Sequence, residues 1–290
     1  MNNLKTMCVD KRSILIASII GDGEITKIYP RSRRINNSYR EHFSVKQLEY
    51  RIWKTKQLPE YFYLTKKSMC LRSKSIQLFT TLFPFFYGDD GEKHIPIDLL
   101  MFCSSFYFLL VLYLDDGSLI LSKRINDKSK KIYLMPAISF YLQCYKKEEL
   151  ELLRQFISEQ FKFELKLNKR KDGKGYILKM TKTKDVYNFL NEIKSKISNC
   201  DSMRYKFDWQ YRFNVEKEKL QFDYPDYTVI ESDSKRFSKY TEKEEIDIVR
   251  LKLEGKTDKA IAEYLNRTYW SVVYKIRELR KRGCFHNSLS

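Results

Sequence analysis

Two apolar runs in this chain each end in an Asp-Gly step and lead at once into a strand-like segment. Residues 15–23 read LIASIIGDG and residues 109–117 read LLVLYLDDG. Each run suits a short apolar helix, and Asp-Gly suits the turn at its end. One such junction is an ordinary turn. Two copies, with similar segments behind them, are an internal repeat, and a repeat restricts the fold to two related units.

The segments behind the runs correspond. In the first half, 24–29 and 39–47 read as strands, 48–58 as an amphipathic helix, 61–66 and 69–77 as strands, and 78–86 as a closing helix. The second half offers 118–122 and 131–143, the helix 147–161, then 163–169 and 175–180, and the helix 185–197. The expected class is α+β: two pseudo-symmetric αββαββα repeats, over residues 1–104 and 105–215. Helices cover one face of each sheet and leave the other free. Residues 216–239 are polar and irregular, with Pro225 and a Ser-Asp-Ser step, and read as a linker.

Residues 240–290 read as a small three-helix domain. Thr241 with Glu244 forms a capping box for a helix to Glu254, which Gly255 stops. Thr257 caps a second helix over 258–265, and a third runs from Tyr269 to about Arg282. Ile261, Leu265, Val272, Ile276 and Leu279 supply the apolar stripes.

Charge narrows the partner. The chain has 55 Lys and Arg against 37 Asp and Glu, a net +18 over 290 residues. Such a balance calls for a polyanion: DNA, RNA or an anionic membrane surface. Arg33, Arg34, Lys67, Arg72 and Lys74 in the first half, and Lys169 and Arg170 in the second, fall on strands and loops that could present a basic face to a DNA groove. Any one of them alone also suits a solvated sheet. The run 97–114, IDLLMFCSSFYFLLVLYL, holds Asp98 and Ser104-Ser105 and ends in Asp115-Asp116. Two short buried helices suit it better than a membrane span. The six cysteines have no Cys-x-x-Cys pair and no metal spacing with the three histidines. They read as reduced thiols, which places the chain in a reducing compartment, cytoplasmic or organellar.

An Asp at a helix C-terminus sits where the backbone already carries partial negative charge. Asp22 lies beside the Gly21 carbonyl and Asp116 beside the Asp115 carbonyl. If the two helices pack together, the carboxylates converge on a site that a hard divalent cation would relieve. Two carboxylates sharing metals against a phosphate are the arrangement for phosphodiester hydrolysis.

With these residues in view, the chain resembles the LAGLIDADG homing endonucleases. The two nine-residue stretches match that family's motif helices, and LLVLYLDDGSLI, residues 109–120, is close to the form of its intron-encoded members. The resemblance covers residues 13–207. It implies that Asp22 and Asp116 are catalytic and hold the metal, Mg2+ with Mn2+ as a substitute, with Gly21 and Asp115 beside them. It further implicates Gln47, in Phe43-Ser44-Val45-Lys46-Gln47, and Gln143 at the same place in the second half. Lys93, in Glu92-Lys93-His94-Ile95-Pro96, and Lys206, in Met203-Arg204-Tyr205-Lys206, are the basic pair. A single-chain monomer, a saddle of two sheets over double-stranded DNA, and paired cuts leaving short 3′ overhangs are likewise implied. Two departures stand out: Val111 and Leu112 replace the small residues of the first motif, which predicts a looser helix crossing, and Asp115 adds a charge before Asp116.

The last three helices resemble helix-turn-helix or Myb-like domains through Thr257-Asp258-Lys259-Ala260-Ile261-Ala262 and Leu265-Asn266-Arg267-Thr268. The resemblance nominates Tyr269, Trp270, Ser271, Tyr274 and Arg277 for bases, and Lys275, Arg280, Lys281 and Arg282 for phosphates. Trp270 reads equally as a core filler. Two other functions fit the same scaffold: an intron maturase binding RNA, and a DNA-binding regulator without catalysis.

Overall fold

A computed structural model describes residues 2–197, 199–231 and 239–285. They fall into two compact units, Met1–Glu231 and Ser232–Ser290.

In the first unit, helix α1 (Asn2–Thr6) precedes α2 (Val9–Ile20), strands β1 (Glu24–Thr26) and β2 (Ser38–His42), and helix α3 (Leu48–Gln57). Strands β3 (Phe62–Thr65) and β4 (Cys70–Ser73) and helix α4 (Gln77–Phe86) complete the first repeat. The short α5 (Ile97–Leu100) leads into the second: α6 (Tyr107–Asp116), β5 (Gly117–Asn126), β6 (Lys131–Phe140), α7 (Lys147–Phe161), β7 (Lys166–Lys169), β8 (Tyr176–Met180) and α8 (Thr183–Lys196). Strand order repeats too. The first sheet runs β1-β2-β4-β3 and the second β5-β6-β8-β7, antiparallel throughout. The run 97–114 thus divides into α5 and α6, and no described helix is long and apolar enough to cross a membrane.

The motif helices form the centre. Every residue from Ser13 to Ile20 of α2 is buried, and so is every residue from Phe108 to Asp115 of α6. A helix that is apolar on all sides belongs inside the protein, and here each is the other's packing partner. The bulk of Val111 and Leu112 is taken up without exposing either.

Residues 216–231 differ from the linker expected there. Helix α9 (Arg204–Phe207) is followed by α10 (Trp209–Asp223), which runs through the first part of that stretch. Strand β9 (Thr228–Glu231) then pairs parallel with β6, Thr228 opposite Lys131 and Glu231 opposite Leu134. Trp209, Phe213 and Leu220 bury one stripe of α10, and Val229 enters the same core. The first unit therefore extends past residue 215. Residues 232–238 lie outside the described residues.

The second unit holds α11 (Glu242–Leu253), α12 (Asp258–Tyr264) and α13 (Tyr269–Lys281). The Glu244 amide donates to Thr241 Oγ1 at 3.2 Å, and the Thr241 amide donates to Glu244 Oε2 at 2.8 Å, the reciprocal pair of a capping box. At α12 and α13 the Thr257 and Thr268 hydroxyls accept from the Ala260 and Ser271 amides, a cap without the return bond. Gly255, at φ +78°, makes the left-handed turn that ends α11. Ile248, Leu251, Ile261, Ala262, Val272, Ile276 and Leu279 form a core of their own.

Candidate active site

Asp22 is the second residue beyond α2, and Asp116 is the last of α6. Arg51 Nη2 donates to Asp22 Oδ2 at 2.6 Å, and the Asp22 side chain keeps 28% of its surface exposed. Among the described residues the Asp116 carboxylate has no hydrogen-bond or ion-pair partner. Burial raises the pKa of Asp22, and the charge of Asp115 raises it further against the pull of Arg51. Burial, then the charges of Asp22 and Asp115, push Asp116 up to about 7, although Lys93 and Lys206 act the other way. The two helix ends thus gather carboxylates close enough to oppose each other's ionisation.

Each end carries a matching lysine. Lys93 Nζ donates to the carbonyls of Gly21 and Gly23, both at 2.8 Å. Lys206 Nζ donates to the carbonyls of Leu114 at 2.7 Å and Asp115 at 3.2 Å. A cation satisfies otherwise unpaired carbonyls at each C-terminus. Burial lowers the pKa of both lysines, while the surrounding carboxylates pull it back up. The Gly21 and Asp115 carbonyls, expected beside the metal, are thus already engaged by ammonium groups. The carboxylates of Asp22 and Asp116 retain oxygens free for a metal.

The two glutamines are not equivalent. The chain from β2 into α3 runs in step with the chain from β6 into α7: Glu41 pairs with Leu71 as Phe140 pairs with Leu178, and Leu48 and Lys147 open the two helices. In that register Gln143 matches Ser44, and Gln47 matches Lys146. Gln47 closes a 3-10 turn, and its Oε1 accepts from the Ser44 amide at 3.0 Å. It lines one cleft with Asp22, Glu41 and Lys93. The Gln143 amide, oriented to satisfy both its ends, donates to the Tyr141 carbonyl and accepts from Arg170, each at 3.2 Å. Placing the two at one position rests on residue type; counted from the paired strands, Gln47 lies three positions beyond Ser44, the counterpart of Gln143.

Behind Asp22 lies a buried ion cluster that the sequence did not reveal. Glu41, Arg51, Lys54 and Asp115 all have side chains with no exposed surface. Arg51 Nη2 meets Glu41 Oε1 at 2.6 Å, and Nη1 meets Asp115 Oδ1 at 3.3 Å. Lys54 Nζ bridges Glu41 Oε1 at 3.0 Å and Asp115 Oδ2 at 2.8 Å. Burial alone would lower the pKa of Arg51, but Glu41 and Asp115 outweigh it and hold the group charged. Burial would likewise raise Asp115, but Lys54 and Arg51 draw it below the usual carboxylate range. Oxygens of Asp22, Glu41 and Asp115 lie within 4.8 Å of one another. That space is filled by the guanidinium and the ammonium, so the Asp115 side chain is an ion-pair partner here and is not free to ligate a metal. Arg51 and Lys54 sit on a helix whose cations sequence alone gives to solvent, and the hint is three cations in 51–56.

On the free face of the first sheet, Arg34, Arg72 and Lys74 line one cleft with Lys27, Arg40 and Tyr63. Arg34 Nη1 donates to Ser38 Oγ at 3.1 Å, which fixes it against β2. Arg40, paired across the strands with Arg72, was missed, although Ser38, Arg40 and His42 alternate outward along β2. Arg33 is exposed in a loop, Lys67 in the 3-10 turn between β3 and β4, and Lys169 at the end of β7. Arg170 instead closes a salt bridge to Asp172 at 2.6 Å.

In the second unit, Tyr269, Trp270, Tyr274 and Arg277 all lie on the exposed side of α13. Trp270 is 62% exposed, so it is not a core filler. Lys275 and Arg282 each pair with Glu245 and Glu278. Of the four cations expected to meet phosphates, Arg280 and Lys281 are those without an ion pair among the described residues.

A model of the LAGLIDADG DNA endonuclease family matches residues 12–186 of the chain, well over half its length. The chain belongs to the LAGLIDADG DNA endonuclease family. The matched span runs from within α2 into α8 and includes both Asp-Gly ends. Among solved structures, the homing endonuclease I-WcaI bound to its DNA recognition sequence shares the fold, at a TM-score of 0.52 and 20% identity. That match covers 70% of this chain and 87% of the other. I-DmoI in complex with DNA and Mn matches at 0.41 and 17%, over 64% and 97% of the two chains. I-SmaMI bound to uncleaved DNA in the presence of calcium ions matches at 0.43 and 10%, over 75% and 92%. No curated protein matches the chain.

Proposed function

We propose that this chain is a site-specific endonuclease that cuts both strands of duplex DNA with divalent metal ions held by Asp22 and Asp116. The observation that carries this reading is the pair of motif helices whose C-termini bring two mutually repelling carboxylates together, each end capped by its own lysine. A cation bound there would activate water and stabilise the leaving 3′ oxygen, with Mg2+ the natural ion and Mn2+ its substitute. The donor set fits a hard ion: the Asp116 carboxylate has no partner among the described residues, and Asp22 has one cation on one oxygen. Lys93 and Lys206 hold positive charge near the scissile phosphates, where it offsets the charge that develops in the transition state. Gln47 borders the Asp22 cleft and can orient water there.

The basic face of the first sheet, with Arg34, Arg40, Arg72 and Lys74, supplies phosphate and base contacts, and Lys169 extends it in the second repeat. Both repeats lie in one chain, so a monomer suffices. The second unit adds a DNA contact through Tyr269, Trp270, Tyr274 and Arg277. Trp270→Ala should weaken duplex binding without lowering the melting temperature, as checked by fluorescence anisotropy and calorimetry. Six free cysteines suit a reducing compartment, cytoplasmic or organellar.

The direct test is selection. A randomised duplex library is incubated with the protein in Mg2+, and the ends produced are sequenced. Opposed breaks with short 3′ overhangs at one recurring sequence, abolished by EDTA, are the expected result. Enrichment of bound but intact duplex would overturn the nuclease reading in favour of a regulator.

A further inference from the structure

The register that matches β2–α3 to β6–α7 also matches the buried residues behind the two carboxylates. Glu41 corresponds to Phe140, Arg51 to Leu150, and Lys54 to Leu153. All six are buried, at 1% exposure or less. The second repeat closes this place with hydrocarbon. The first closes it with two cations and one anion, and such a set is stable in the interior only if another negative charge joins it.

That charge arrives from the other repeat. Asp115 is on α6, yet its carboxylate reaches Arg51 and Lys54 on α3. It can do so because of Gly21. A Cβ at position 21 would lie 2.6 Å from Asp115 Oδ2 and 2.8 Å from Asp115 Cβ, closer than such atoms approach. The two motifs therefore carry complementary residues at one position, Gly21 giving the space and Asp115 filling it. Asp115 and Glu41 then share Arg51, which holds Asp22 by its Nη2. Without Asp115, Glu41 alone would face Lys54 and Arg51, and the guanidinium that meets Asp22 through Nη2 would lose the anchor of its Nη1. Among the described residues the Asp116 carboxylate meets no such network.

We propose that Asp115 is a positioning residue for the Asp22 half of the site, acting through Arg51, and that the two halves consequently serve the two DNA strands at unequal rates. The inference rests on the endonuclease reading and adds a division of labour to it.

The test uses the full chain and a supercoiled plasmid carrying the site that the wild-type protein selects, with each strand of a labelled duplex also timed separately. Wild type should pass through a nicked intermediate. Asp115→Asn should change the ratio of the two strand rates by about tenfold, the size of effect seen when an outer partner of a ligand is removed. Gly21→Ala leaves every charge in place but crowds Asp115, and should move the ratio in the same direction. If Asp115→Asn folds poorly, the double variant Asp115→Asn/Lys54→Gln removes one buried charge of each sign and keeps the question open to measurement. A general loss of structure would slow both strands alike. A readout without cutting is the side-chain 1H–15N spectrum of Arg51, whose protected Nη–H signals should broaden or vanish in Asp115→Asn. A strand ratio within about twofold of wild type in a folded variant, with Arg51 still protected, would overturn the inference alone. A wild-type protein that cuts neither strand would overturn the endonuclease reading and this inference with it.

Discussion

Around Asp22 the buried side chains are Glu41, Arg51 and Lys54, whereas around Asp116 the matching places hold Phe140, Leu150 and Leu153. Strand order, helix placement and lysine cap are shared between the two halves. The frame therefore does not dictate what fills it. Well-packed hydrocarbon commonly matches or exceeds a buried ion pair in stability, and the second half shows that this fold can use hydrocarbon. The charges in the first half are thus better explained by what they hold, the Asp22 carboxylate, than by a need of the core.

The sharpest way to break this comparison is to treat the two halves alike. Arg51→Met leaves Glu41 and Asp115 buried with one cation between them, and should cost about 3–5 kcal/mol of folding stability. Leu150→Met at the corresponding place conserves volume and should cost under about 1.5 kcal/mol. Urea unfolding of both variants measures the difference. Equal costs would mean that the ion cluster carries no more strain on removal than ordinary packing.

A smaller effect follows from the raised pKa of Asp116. Its value of about 7 lies above that of an unfolded Asp, so the folded chain favours the protonated form. The sign is then fixed: without metal, ionising Asp116 costs stability, and the cost grows as pH rises and levels off above about 7. Metal binding requires the ionised form. Affinity for Mn2+ should therefore weaken by about tenfold for each pH unit below 7 and flatten above it. Asp22→Asn removes one of the charges that raise Asp116 and should shift this midpoint to lower pH. Calorimetric titration with Mn2+ between pH 5 and 8 checks both statements, and a flat profile would contradict them.

Much of this could be read from residue order, because local rules govern it. Helix α7 begins and ends where the apolar stripe of 147–161 does, and the Thr241–Glu244 box forms as its spacing requires. The two Asp-Gly ends and the lysines Lys93 and Lys206 came from the repeat and the family resemblance together. What was hidden depends on distant partners. Arg51 and Lys54 look like solvent-facing charges until Asp115, 64 and 61 positions away, is packed against them. Strand β9 is four polar-flanked residues whose pairing partner is β6, nearly a hundred positions earlier in sequence. Gln47 and Gln143 share a residue type but not a register position, which only the strand pairing shows. Trp209, Phe213 and Leu220, by contrast, are spaced four and seven apart and could have marked α10 as a helix with a buried stripe.

The two helix-end carboxylates carry the endonuclease reading. The most direct measurement is cleavage of the selected duplex by wild type, Asp22→Asn and Asp116→Asn, with DNA binding measured in parallel. Loss of double-strand scission in both variants, with DNA affinity retained, is the predicted result. Scission that survives in both would contradict the assignment of Asp22 and Asp116 as the metal-holding pair.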